Sequence, residues 1–174
     1  MGEIPDTIVL RRDRDLTGRS WEIWLRRALF TVLVLVVLLA LANVFGQRPA
    51  TVVVHATTAS LKLYAPERVR SGLLWEARFR ITAHRDVKKA TLVLGPGWLE
   101  GVTMNTVEPS PIGEASDNGR LSFDLGHIAP GKSFLLFLQF QTNPTNVGHR
   151  PQTVWLYDGP RLLLTLHRSI TVFP

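Results

Sequence analysis

The sequence predicts a mainly β protein carried on a single transmembrane α-helix, and three observations predict it. Residues 28 to 46, ALFTVLVLVVLLALANVFG, form one uncharged, apolar run. Beyond that run, apolar and polar side chains alternate with a period of two in one segment after another, the pattern of strands with one wet face. Clusters of Gly, Pro, Asn and Asp separate those segments at fairly even spacing, and no amphipathic helical pattern interrupts them.

The apolar run comes first. Its nineteen residues would rise about 28 Å as a helix, close to the thickness of a bilayer's hydrocarbon core. Lys and Arg beside a span resist translocation. Arg11, Arg12, Arg14, Arg19, Arg26 and Arg27 stand before it, against only Arg48 and Lys62 within a comparable distance after it. The chain is therefore expected to keep residues 1 to 19 as a basic cytoplasmic tail, to cross the cell membrane once through residues 20 to 46, and to place residues 47 to 174 outside. Trp21 and Trp24 suit the headgroup level, and Ser20 suits the N-cap of a helix that begins in the interface. Ala40-Leu41-Ala42 also fits the small-x-small pattern of a cleavable signal peptide. The long charged region before the run, and its continuation through Val44 and Phe45, favour a retained anchor.

Composition narrows the chemistry. With no cysteine, the chain forms no disulfide, offers no thiolate to a metal and has no cysteine nucleophile. Residues 47 to 174 carry fourteen Lys and Arg against nine Asp and Glu, which favours anionic lipid headgroups or acidic polymers over basic partners. The charges are scattered and only Lys88-Lys89 are adjacent, so a solvated mixed-charge surface also accounts for them. An exported domain has no call on nucleic acid.

The strands follow in order. Residues 51 to 56 and 61 to 64 are short extended segments. From Leu73 to Ala83 the residues Leu73, Trp75, Ala77, Phe79, Ile81 and Ala83 alternate with Glu76, Arg78, Arg80 and Thr82, the firmest strand in the chain. A charged turn leads into residues 90 to 94, then the breaker Gly95-Pro96-Gly97 and a weaker extended stretch over 99 to 107. Residues 109 to 120, rich in Pro, Ser, Gly and Asn, read as the longest loop. Leu121, Phe123 and Leu125 alternate, and Pro130-Gly131 turns the chain into a strand over 134 to 141 that is apolar on both faces at its start. After a polar loop over 142 to 151, residues 153 to 157 and 162 to 172 flank Asp158-Gly159-Pro160 as a hairpin whose turn Pro160 enlarges.

Seven to nine short strands of this kind predict an immunoglobulin-like antiparallel β-sandwich. The order Leu73-x-Trp75-x-Ala77-x-Phe79-x-Ile81, then Gly95-Pro96-Gly97-Trp98, then Leu121-x-Phe123-x-Leu125-Gly126-x-Ile128-Ala129-Pro130-Gly131 is similar to bacterial cell-surface immunoglobulin-like and cell-adhesion-related domains. The resemblance covers roughly residues 69 to 141. It implies a binding or scaffolding role and brings no catalytic residue. One copy on an N-terminal anchor departs from the repeated arrays of such proteins.

Motifs for catalysis are sparse. His55, His84, His127, His149 and His167 lack metal-ligand spacing, and no nucleophile elbow, P-loop or dinucleotide fingerprint occurs. Glu108, Glu114, Asp117 and Asp124 could serve acid-base chemistry or calcium only if the fold brought them together. The chain is expected to be no enzyme and to need no cofactor. Trp75 belongs to the core, whereas Trp98, Trp155 and Tyr157 are either core residues or a platform for sugar or protein. Leu135 and Phe137 lie on the second apolar face of their strand, which must be covered by the chain itself or by a partner. The expected function is a membrane-anchored extracytoplasmic binding or scaffold protein, an accessory of another membrane or envelope protein. An envelope glycan- or lipid-binding module is the alternative.

Overall fold

The computed structural model describes residues 20 to 44 and 46 to 174. The tail expected over residues 1 to 19 lies outside them, as does the Ser20 side chain. The chain divides into two compact units, Met1–Phe45 and Gly46–Pro174.

In the first unit, α1 (Ser20–Leu41) is a single helix. Its stretch Trp21–Leu41 has a mean hydropathy of 2.2 and no buried residue, so one helix is long and apolar enough to span a membrane. The helix stops before the apolar run does. Asn43 adopts φ 55°, Asn43 N–H donates to the Ala40 carbonyl and Val44 N–H to the Leu39 carbonyl. That pairing of bonds around a left-handed residue is a Schellman cap, with Asn standing in for the usual glycine.

The second unit contains β1 (Arg48–His55), β2 (Ala59–Arg70), β3 (Leu74–Ala83), β4 (Val87–Leu94), β5 (Val102–Glu108), β6 (Gly113–Asp117), β7 (Arg120–Ile128), β8 (Ser133–Thr142), β9 (Gly148–Asp158) and β10 (Arg161–Phe173), with one 3-10 turn over Pro96–Trp98. Hydrogen bonding runs β5-β8-β3-β2-β10-β9-β4-β7-β6, and β1 adds to β2. Every pairing is antiparallel except a short parallel contact of β2 with β10. β2 is the seam. It pairs with β3 through Tyr64 and Arg78, then with β10 from Arg68 onward. Pro66, which has no N–H to give, sits between the two ladders.

The sheet thereby curls into two layers, β1-β2-β3-β8-β5 and β10-β9-β4-β7-β6, closed over one core. Leu61, Leu63, Phe79, Ile81, Leu136, Leu138 and Phe140 fill it from one side, and Leu92, Leu94, Phe123, Val154, Leu156 and Leu166 from the other. This is the mainly β, sandwich-like architecture that the alternation predicts. At the centre stands Trp98, fully buried, with ring centroids 6.1 Å from Trp75, 5.4 Å from Phe79 and 5.8 Å from Phe140. Its Nε1 donates to the Thr153 carbonyl at 3.2 Å, and Trp75 Nε1 donates to the buried Thr142 hydroxyl at 3.1 Å. Both indoles thus bury area without stranding a donor. Gly97 makes the insertion possible, since a Cβ there would lie 1.9 Å from the Pro151 carbonyl oxygen.

Local differences from the sequence reading have identifiable causes. Residues 109 to 120 are not one loop. They contain β6, joined to β7 through Asn118 (φ 50°) and Gly119 (φ 72°), two left-handed residues that make the tight type I′ hairpin favoured by Asn-Gly. β2 runs twelve residues because it serves both layers, well past the expected end at Tyr64. β9 begins at Gly148, inside the expected polar loop. The Asp158 hairpin is tight, with Asp158 directly opposite Arg161: Gly159 takes the positive φ (56°), and Pro160 fits the second turn position without enlarging it.

Candidate functional site

The strongest surface feature lies on the outer face of the layer containing β8. Residues that alternate with the core must point outward, so Leu135 and Phe137 on β8, Arg78 and Arg80 on β3, and Lys62 and Tyr64 on β2 share that face. The register places them in two rows. Thr51, Tyr64, Arg78, Phe137 and Glu108 run across β1, β2, β3, β8 and β5; Val53, Lys62, Arg80 and Leu135 lie beside them. Thr51, Lys62, Tyr64, Arg78, Arg80, Leu135 and Phe137 line a groove of about 250 Å³. A second groove, with Glu76, Thr106, Glu108 and Gln139, begins across Phe137 and Arg78.

Arg78 organises this face. Its guanidinium lies 5.5 Å from the Tyr64 ring centroid and 5.7 Å from that of Phe137. Its Nε donates to Glu76 Oε1 at 2.6 Å. The hydrogen bond and charge of Glu76 raise the guanidinium pKa above its ordinary value, so Arg78 keeps its charge at any physiological pH. Two aromatic rings and a carboxylate thus hold one cation, and Tyr64 and Phe137 both keep exposed surface. Lys62 and Arg80 remain exposed beside it. The face can take an apolar side chain against Phe137, Leu135 and Tyr64, and an acidic group against three cations.

The expected site residues end up in three places. Leu135 and Phe137 are half-buried and line the groove; β1 does not lie over them but extends the same layer from β2. Trp98 is a correction: at 0% exposure it offers no surface and belongs to the core. Trp155 and Tyr157 are half-buried on β9, outward-facing on the opposite layer. Arg120 lies 4.9 Å over the Trp155 ring, and the Gly95 backbone packs against its edge, a Cβ there reaching 3.4 Å. Sequence reading missed Tyr64, Arg78, Arg80 and Lys62 as partners of Phe137. The signal existed in phase: Lys62 and Tyr64 alternate with Leu61 and Leu63.

The carboxylates do not converge. Glu108 ends β5 on one layer, while Glu114 and Asp117 lie on the exposed edge strand β6 of the other. Asp124 is committed to the Gly126 N–H at 3.0 Å and faces Lys89 at 3.7 Å. Among the described residues no group of three His, Asp or Glu is placed to hold a metal ion.

One polar pair sits inside the core. Arg168 on β10 is in phase with Leu164, Leu166, Ile170 and Val172, and faces Gln152 across the β9–β10 ladder. Its Nη2 donates to the Pro66 carbonyl and its guanidinium lies 5.9 Å from the Trp98 ring. Nε and Nη1 of Arg168, and both amide atoms of Gln152, find no protein partner. Burial pulls the Arg168 pKa down to about 10, with Glu67 opposing the shift.

No family model and no curated protein matches the chain. Among solved structures it is similar to AvmM, which catalyses macrocyclization in alchivemycin A biosynthesis, at 8% identity and a TM-score of 0.44 over 74% of this chain and 90% of that one. It is similar to a CARDB domain from Pyrococcus furiosus solved with di-metal ions, at 10% identity and 0.41 over 73% and 96%. It is also similar to the sporulation control protein Spo0M of Bacillus subtilis, at 14% identity and 0.37 over 74% of this chain and 50% of that one. No role passes from them to this chain.

Proposed function

We propose that the chain is a single-pass membrane-anchored binding or scaffold protein whose β domain lies outside the cytoplasm and docks another membrane or envelope protein on the Phe137 face. The observation that supports this reading is the arrangement of Tyr64, Arg78 and Phe137. Tyr and Arg are the residue types that dominate binding energy at protein interfaces. Here the arginine is already ordered between two rings, so less side-chain entropy is lost on docking. The six arginines before the span, against two basic residues within a comparable distance after it, support the orientation. The complementary partner surface carries an apolar anchor ringed by acidic groups.

Purification of the full-length protein from its own membrane in mild detergent tests this reading. A defined membrane or envelope protein should accompany the wild type and be lost with Phe137→Asp, while Gln139→Ala retains it. Retention by Phe137→Asp in a folded protein sinks the reading. Lys62, Arg78 and Arg80 around one groove favour a second reading, an anionic envelope glycan or lipid. Retention of the chain on purified cell-wall polymer, with no protein accompanying it from detergent, would select that reading.

A further inference from the structure

Three of the β domain's exposed large apolar residues, Leu73, Leu74 and Val147, are 45%, 50% and 48% exposed, and all lie at one pole of the sandwich. Leu73 lies in the β2–β3 turn, Leu74 opens β3, and Val147 lies in the β8–β9 loop. Ser71 N–H donates to the Phe173 carbonyl, Gly72 N–H to the Thr142 carbonyl and Asn143 N–H to the Gly101 carbonyl. The Gln47 amide donates to the Leu74 carbonyl at 2.9 Å. The entry of β1 is therefore stitched to the same pole.

The charges there are mostly positive. Arg48 and Arg68 are directly opposite one another on β1 and β2, a like-charge pairing that costs stability in a sheet. Neither has a carboxylate within ion-pair distance among the described residues. Arg70 is exposed and its Nε donates to the Pro174 carbonyl oxygen at 3.4 Å. Of the acids on this side, Glu100 faces Arg150 at 3.7 Å, and Glu67, next to Arg68 on β2, is one carboxylate beside three arginines. A pole with apolar tips and unneutralised arginines matches the headgroup region of an anionic bilayer, where apolar side chains insert shallowly and guanidinium groups meet phosphate.

We infer that this pole, through Leu73, Leu74 and Val147 with Arg48, Arg68 and Arg70, rests on the anionic lipid surface of the membrane that α1 enters. The inference rests on the anchor reading above and concerns a surface separate from the Phe137 face. An anionic bilayer relieves the Arg48–Arg68 repulsion and covers the three apolar tips in one contact.

The chain has no cysteine, so a single Cys can carry a fluorophore without background. Leu73→Cys, Val147→Cys, Leu162→Cys and Leu35→Cys are each labelled in the full-length protein and reconstituted into vesicles of phosphatidylglycerol and phosphatidylcholine. Leu162 matches Val147 in exposure but lies about 30 Å along β10 from the pole, at the rise of a strand. Nitroxide on the lipid headgroups should remove most of the signal at residues 73 and 147 and little at 162. Arg48→Glu with Arg68→Glu, or high salt, should restore it. Signals at 73 and 147 no more quenched than at 162 overturn the inference. Equal quenching in pure phosphatidylcholine overturns the assignment of the arginines to anionic headgroups. The Leu35 probe, read against nitroxide deep in the acyl chains, separates the two levels: unquenched, it overturns the anchor reading and this inference with it; quenched, it leaves a negative at 73 and 147 to count against the lipid contact alone.

Discussion

Both outer faces of the β domain lay an arginine over an aromatic ring, but the two arrangements differ. Arg78 lies between Tyr64 and Phe137 and is held by Glu76, leaving two grooves that meet at Phe137. Arg120 lies over Trp155 with the Gly95 turn against the ring's edge, so the indole is flanked by its own chain. An outward aromatic on a strand is only raw material for a site. Whether neighbours leave its face open or occupy it decides whether a partner finds an anchor there.

The sharpest contrast runs through a single strand. Phe79 and Arg78 are adjacent on β3, one fully buried against Trp98 and the other exposed. Phe79→Ala is predicted to destabilise the domain by about 3–5 kcal/mol through lost transfer energy and a cavity. Arg78→Ala should cost far less, because an exposed ion pair contributes little. Denaturant melts of the full-length protein in detergent compare them, and equal losses would mean that the outer face is structural rather than a docking surface.

Gly97→Ala comes next, at about 1–3 kcal/mol as for an overpacked site. The added methyl must push the 96–98 turn off the Pro151 carbonyl and drag Trp98 from its position against Phe79. Near-ultraviolet circular dichroism should lose signal from the indoles if that displacement occurs. An unchanged spectrum and melt would show that the turn does not hold Trp98 in place.

The two faces themselves are separated by Phe137→Asp and Trp155→Ala. Phe137→Asp should weaken partner binding by about 2 kcal/mol or more, as for an interface anchor, with a melt near that of the wild type because the side chain is already half-exposed. Trp155→Ala should do the reverse, losing about 1–2 kcal/mol of stability through removed apolar contact and leaving the co-purified partner in place. Partner loss with Trp155→Ala would transfer the site to the other layer.

Much of this contrast was legible in the sequence, for physical reasons that differ by residue. A period of two sets which side chains face in, so Trp75, Phe79 and the outward pair Leu135 and Phe137 could be placed from β3 and β8 alone. The same rule applied to β2 would have put Tyr64 beside them. Asn118-Gly119 announced a hairpin, but the polar composition around it read as a loop. Trp98 was not legible, since its burial depends on the approach of Gly97 to Pro151 on a strand far along the chain. Nor was the seam role of β2, which follows from its pairing with both β3 and β10.

Arg168 gives the smallest expected effect and the one with a definite sign in pH. Its position in phase with Leu166 and Ile170 points it into the core, where its charge is poorly solvated and two of its nitrogens lack protein partners. Arg168→Met keeps most of the volume, removes the desolvated charge and gives up the bond to the Pro66 carbonyl and the contact with Trp98. These opposing terms should leave stability within about 1 kcal/mol of wild type at pH 7. The pH dependence tells more. Folding lowers the Arg168 pKa to about 10, so above that pH the unfolded chain holds a proton that the folded chain releases, and stability from this group rises with pH. Wild type should therefore gain on Arg168→Met as pH climbs from 9 toward 11, the difference between the two melts cancelling the titration of Lys and Tyr common to both. A difference that stays flat over that range would mean that Arg168 remains charged in the folded core, satisfied by partners other than Pro66.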